Sequence, residues 1–75
     1  MKLVKIIWVD CEGKGGWCTR EEARALKADG CETVGFLIEK DKVSYLVSST
    51  WDMVNDNFYA PLRIPKKAVT RIEEI

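Results

Sequence analysis

The sequence predicts a mainly β chain with one short α-helix, a small five-stranded, partly open barrel. Three observations lead there. β-branched and aromatic residues gather into short alternating runs separated by turn formers. A single stretch, residues 20–28, carries the start and stop signals of a helix. Five short strands with one helical insertion are what a small barrel requires, and curling the sheet would shelter most of its edges.

The first strand, Leu3 to Val9, is apolar on both faces: Val4, Ile6 and Trp8 make one, while Leu3, Ile7 and Val9 leave Lys5 as the sole polar member of the other. Such a strand is either covered on both sides or presents one face to another chain. Asp10 to Gly16 is a glycine-rich connector. Thr19 and Glu22 have capping-box spacing, Glu21 and Glu22 sit at the positive end of the helix dipole, and Gly30 is placed to close the helix in a left-handed conformation. The apolar stripe of that helix, Ala23 and Leu26 with Ala25 or Ala28 beside it, suits one sheet edge. Thr33–Glu39 and Val43–Thr50 form a hairpin about Lys40-Asp41-Lys42, with Val34, Phe36 and Ile38 on one face of the first strand and Val43, Tyr45 and Val47 on one face of the second. Gly35 marks a bulge or a close backbone approach. Residues 51–57 lack a steady period and read as a loop. Phe58 to Ile64 alternates again, with Phe58, Ala60, Leu62 and Ile64 facing one way and Pro61 placing the strand at an edge. Pro65 to Ala68 suits one 3₁₀ turn, and Val69–Ile75 the last strand.

Residues 1–75 make one domain, too short for more than a thin core. Twelve Lys+Arg balance twelve Asp+Glu, with the signs interspersed, which disfavours a non-specific grip on nucleic acid. The absence of an 18-residue apolar run and of a signal-peptide pattern points to a protein without membrane association that stays in the cytoplasm. Three cysteines, Cys11, Cys18 and Cys31, fit free thiols in a reducing compartment.

The chain has no histidine, which removes serine–histidine and cysteine–histidine pairs and every histidine-containing metal site. No spacing singles out a pair of carboxylates, so no enzyme and no cofactor are expected. Six residues separate Cys11 from Cys18, too many for the usual zinc knuckle. Gly13-Lys14-Gly15-Gly16 lies between a strand and a helix N-terminus, where anions are stabilised, yet it lacks the phosphate-loop order and reads best as a connector. The candidate binding residues are Lys14, Trp17, Arg20, Trp51, Asn55, Tyr59 and Arg63, since aromatics beside arginines build both protein hot spots and base-stacking pockets. For Trp17 and Trp51 a core role at the ends of the barrel is equally compatible.

Three stretches, Val4 to Asp10 with a later Gly16-Trp17, Val34 to Asp41, and Ile64 to Ile72, together resemble a group of small phage and prophage proteins of unassigned function. The segment from Ile64-Pro65 to Val69 also resembles the 3₁₀ turn and last strand of Src-homology-3-like and Sm-like barrels, a likeness of fold only. The phage resemblance implies an accessory protein in an infected bacterial cytoplasm, acting as a modulator of a host protein or as an oligomeric sponge that sequesters a signalling nucleotide in counter-defence. The leading expectation is a non-enzymatic binding module with a host-protein partner, which forms a homo-oligomer through Leu3, Lys5, Ile7 and Val9 and uses the loops at 13–20 and 51–59 for binding. The nucleotide sponge is second, with Trp17, Trp51 or Tyr59 stacking a base and Lys14, Arg20 or Arg63 meeting phosphate. An Sm-like RNA-binding ring is third, lacking the basic surface such a ring needs.

Overall fold

The computed structural model describes residues 1–11 and 15–75. Its elements are β1 (Leu3–Cys11), α1 (Arg20–Ala25), β2 (Ala28–Lys40), β3 (Ser44–Ser48), β4 (Thr50–Asp52), β5 (Asn57–Tyr59), β6 (Leu62–Pro65), a 3₁₀ turn (Lys66–Ala68) and β7 (Val69–Glu74). Five strands form one antiparallel sheet in the order β6-β3-β2-β1-β7, and β4 pairs with β5 in a separate hairpin. The sheet is open, since no hydrogen-bonded ladder joins its outer strands β6 and β7 among the described residues.

One face of the sheet carries the core. Val4 and Ile6 of β1, Val47 of β3 and Ile64 of β6 are buried together, with Trp8, Leu37, Tyr45, Val69 and Ile72 packed around them. Ile6 and Ile64 lie on strands that are separated by two others in the sheet order, so the sheet coils to bring them into one cluster. The middle of β2 makes room for this coil, because its residues on the core face are Thr33 and Gly35, opposite Ile6 and Val4. A Cβ on Gly35 would stand 2.7 Å from the carbonyl oxygen of Ser48, so the close backbone approach expected at this glycine is present.

The expected helix of residues 20–28 is shorter. Thr19 caps it, its hydroxyl accepting from the Glu22 N–H at 3.1 Å, but Leu26 is already extended and Ala28–Gly30 belong to β2, opposite Val9–Cys11. No residue of α1 is buried, so packing does little to extend the helix, whereas the strand gains ladder hydrogen bonds with β1. Of the expected stripe, Ala23 is exposed and Leu26, just beyond the helix, is half-buried. Gly30 lies in a strand and does not close the helix.

The expected loop at 51–57 contains strand: β4 and β5 pair because Trp51 stacks on Phe58, with centroids 6.3 Å apart, and meets Phe36 edge-on at 5.7 Å. The single strand expected from Phe58 to Ile64 is broken at Ala60, whose φ is +45°, followed by Pro61 without an N–H. Leu62 and Ile64 keep the core face, and Phe58 leaves for the hairpin. Val43 lies before β3 and is exposed, and Leu37 shares the core face with Thr33 and Gly35 by simple alternation along β2, the register against β3 shifting only beyond it, between Leu37 and Glu39. The 3₁₀ turn stands where Pro65 to Ala68 suggested.

Candidate functional site

Three surfaces of the described residues offer side chains for recognition. The first is the sheet face turned away from the core. The register aligns Leu3 with Phe36, Lys5 with Val34, Ile7 with Glu32 and Val9 with Gly30, and directly opposed residues share a face. Leu3 and Ile7 are half-buried, while Val9 is 39% and Val34 46% exposed. Lys5 crosses this apolar strip to pair with Glu32 at 3.2 Å. The four residues expected at an interface, Leu3, Lys5, Ile7 and Val9, thus line one strip. Val34 joins them, although the sequence placed it only with Phe36 and Ile38, because the alignment of β2 against β1 decides which residues of the two strands share a side.

The second surface is the end of the molecule beyond β7. β7 accompanies β1 only as far as Trp8, and β3 accompanies β2 only from Phe36 onward, so Val9–Cys11 and Ala28–Gly30 extend as a two-stranded arm. On the connection at its tip Trp17 is fully exposed, three residues before Arg20, which opens α1 and is also exposed. Trp17 is therefore not a core residue capping a barrel end. Lys14 lies outside the described residues.

The third surface is an open groove of about 830 Å³ between the β2–β3 turn and the 3₁₀ turn, lined by Glu39, Asp41, Lys42, Val43, Ser44, Arg63, Pro65, Lys66 and Lys67. Arg63 anchors it, donating from Nη1 to Asp41 Oδ2 at 3.2 Å and to Ser44 Oγ at 2.9 Å, and from Nη2 to Glu39 Oε2 at 3.3 Å. Asp41 also accepts from the N–H groups of Val43 at 2.8 Å and Ser44 at 2.7 Å. Those backbone donors, aided by the Ser44 hydroxyl and by Arg63, hold its carboxyl below the ordinary value of 3.8. Lys66 Nζ lies 5.2 Å from the centre of the Tyr45 ring, a cation–π distance. Four cations against two carboxylates leave the groove modestly positive.

The remaining expected site residues serve the β4–β5 hairpin. Trp51 Nε1 donates to Asp56 Oδ1 at 2.9 Å, and Asn55 binds Asp52 through its side chain at 2.9 Å and its N–H at 3.3 Å. These contacts, with the Val54 N–H, lower the pKa of Asp52 from 3.8, the Asn55 side chain contributing most. Tyr59 pairs with Thr50, not with the aromatic face of Trp51 and Phe58, and is 74% exposed. The structure thus distributes Trp17 and Arg20, Trp51, Asn55 and Tyr59, and Arg63 over three separate places. Asp41, Ser44 and Glu39 around Arg63 were missed in the sequence, although a carboxylate two and three residues before free N–H groups is a visible turn signal.

These features define a mainly β protein with a coiled antiparallel sheet, one short exposed helix and a half-exposed apolar strip on the face away from the core. No helix among the described residues is long and apolar enough to cross a membrane. Comparison with protein-family models, curated proteins and solved structures gives no match.

Proposed function

We propose that this chain is a non-enzymatic binding module whose partner is a protein, engaged through the tip of the β1–β2 arm. The observation that carries this reading is Trp17, fully exposed on a tip whose six-residue helix buries none of its own residues. So short a helix is marginal in water without packing, and a partner surface would supply what the sheet does not. Burying a tryptophan of 150–250 Å² at about 25 cal/mol per Å² yields roughly 4–6 kcal/mol before ordering costs, the scale of an interface hot spot. The lack of histidine favours a binding role over catalysis. The resemblance to small phage proteins suggests that the partner is a bacterial host protein. The β6-β3-β2-β1-β7 order, with a 3₁₀ turn before β7, supports reading the fold as an opened small barrel of the Src-homology-3-like or Sm-like kind.

The test is affinity capture from bacterial lysate with the wild-type chain and with Trp17→Ala, each eluate analysed for protein and for extracted small molecules. A protein retained by the wild type and lost with Trp17→Ala, at unchanged melting temperature, is the expected result. Equal retention by the two chains, or an eluate holding a nucleotide and no protein, overturns the reading.

A further inference from the structure

We propose that two copies of this chain pair antiparallel along the outer edge of β2, over residues Ala28–Val34, about a two-fold axis at Cys31. The inference goes beyond the tip's partner and does not depend on it.

β2 is thirteen residues long, but β3 pairs with it only from Phe36 onward. On the β3 side, no described residue forms a backbone ladder with residues 28–34. The direction of its free groups follows from one hydrogen bond: the Leu37 N–H donates to the Lys2 carbonyl at 2.8 Å, on the β1 side. In an antiparallel ladder alternate residues turn both backbone groups to the same neighbour, and the β1–β2 register runs unbroken from Phe36 to Ala28. Gly35, Thr33, Cys31 and Asp29 therefore bond β1, while Val34, Glu32, Gly30 and Ala28 direct N–H and C=O outward. An edge of this length is a template for another strand; residues 28–34 contain no lysine, arginine or proline, and of their two charges, Asp29 and Glu32, the second is paired with Lys5 of the same chain. The other sheet edges differ: β6 has four residues and ends on Pro65, and β7 carries Arg71, Glu73 and Glu74.

The edge fits its own copy in one register. A two-fold axis perpendicular to the sheet pairs residues of equal parity, so that side chains keep their faces. Centred on Glu32, it would oppose two like charges; centred on Gly30, it would leave Thr33 and Val34 unpaired within the segment. Centred on Cys31, it uses all seven residues, with Ala28 opposite Val34 of the other copy, Asp29 opposite Thr33, and Gly30 opposite Glu32. Both outward-directed pairs, Gly30 with Glu32 and Ala28 with Val34, then fall at hydrogen-bonding positions. Across the seam no carboxylate is directly opposite another, and each Glu32 already has Lys5 beside it. Val34, 46% exposed in one copy, gains an apolar neighbour, and the outer strips of Ile7, Val9 and Val34 lie on the same side of the joined sheet.

Cys31 then faces its own copy at a non-hydrogen-bonded position, where Cα atoms stand about 4.5 Å apart, inside the range a disulfide bridges. The thiol is free and half-buried. The experiment uses the full chain with Cys11→Ser and Cys18→Ser, leaving Cys31 as the only thiol. Light scattering at rising concentration should show the 8.6 kDa mass doubling, and diamide, which oxidises the two thiols, should give a dimer band on non-reducing gels. Glu32→Pro removes an outward N–H that the monomer does not use, and should abolish both signals. Because that variant can fail to fold, hydrogen exchange on the parent chain supplies a second reading: the amides of Gly30, Glu32 and Val34 should exchange more slowly as concentration rises. A monomeric mass at every concentration, cross-linking that persists in folded Glu32→Pro, or concentration-independent exchange at those three amides overturns the proposal.

Discussion

Gly35 and Ser48 meet where β2 and β3 diverge, and each holds a different part of the structure. With a Cβ 2.7 Å from the Ser48 carbonyl oxygen and 3.0 Å from its carbon, alanine at position 35 would force backbone apart. Gly35→Ala should cost about 1–3 kcal/mol, and since each kcal/mol lowers Tm by roughly 4–8 °C in a domain of this size, a thermal melt resolves it. An unchanged Tm would show that the two strands separate freely there. The Ser48 hydroxyl, almost fully buried, lies 2.9 Å from the Thr50 carbonyl and 2.7 Å from that of Tyr59, tying both strands of the β4–β5 hairpin to the end of β3. Ser48→Ala leaves these carbonyls without that donor and should cost about 1–3 kcal/mol in urea unfolding. Gly35 was legible in the sequence as either a bulge or a place of close approach, the two common uses of glycine within a strand, and the structure realises the second. Ser48 was not, since its two carbonyl partners, two and eleven residues further along the chain, come together only when β4 pairs with β5.

The two turns that join strands at Asp41 and Asp52 work alike: each carboxylate accepts the N–H groups two and three residues ahead of it. Both carboxyls are held below 3.8 in the folded chain, so the unfolded chain binds protons first as pH falls. Their stabilisation is therefore complete above the unfolded value and is lost as pH drops through the lower folded values. The urea midpoint should fall as pH is lowered below about 4, and Asp41→Asn with Asp52→Asn should flatten that dependence. An identical slope in wild type and double variant would separate the turns from acid unfolding. The Lys40-Asp41-Lys42 tip was legible as a hairpin from its charge and flanking alternation. The β4–β5 hairpin was not, because its strands are three residues each and are held by Trp51 on Phe58 and Phe36, contacts no short window contains.

The whole molecule is elongated, with extents of 52 × 23 × 20 Å and a radius of gyration of 15.5 Å, against about 11 Å for a compact chain of this length. The difference comes from the arm, where the β1–β2 ladder outruns its neighbours. An arm that buries little opens locally at small cost, so amides bonded within Val9–Cys11 and Ala28–Gly30 should exchange faster than those of Val4–Ile6 and Tyr45–Val47 in dilute solution. Uniform exchange across both regions would mean that arm and body open as one unit. That same arm carries Trp17 and the free β2 edge, so the part of the chain least used for its own stability is the part offered to other molecules.

The sequence by itself determined the mainly β class, the first strand, the Thr19 cap and the 3₁₀ turn after Pro65, each the outcome of forces acting within a few residues. Only the tertiary structure decided that the helix stops at Ala25, that Trp51 builds a second cluster, that Val34 joins the apolar strip of Leu3 and Ile7, and that the sheet stays open. Those outcomes depend on how β2 aligns with β1 and β3. Strand register is a balance of contacts between residues distant in the chain, and shifting it by one residue exchanges every face.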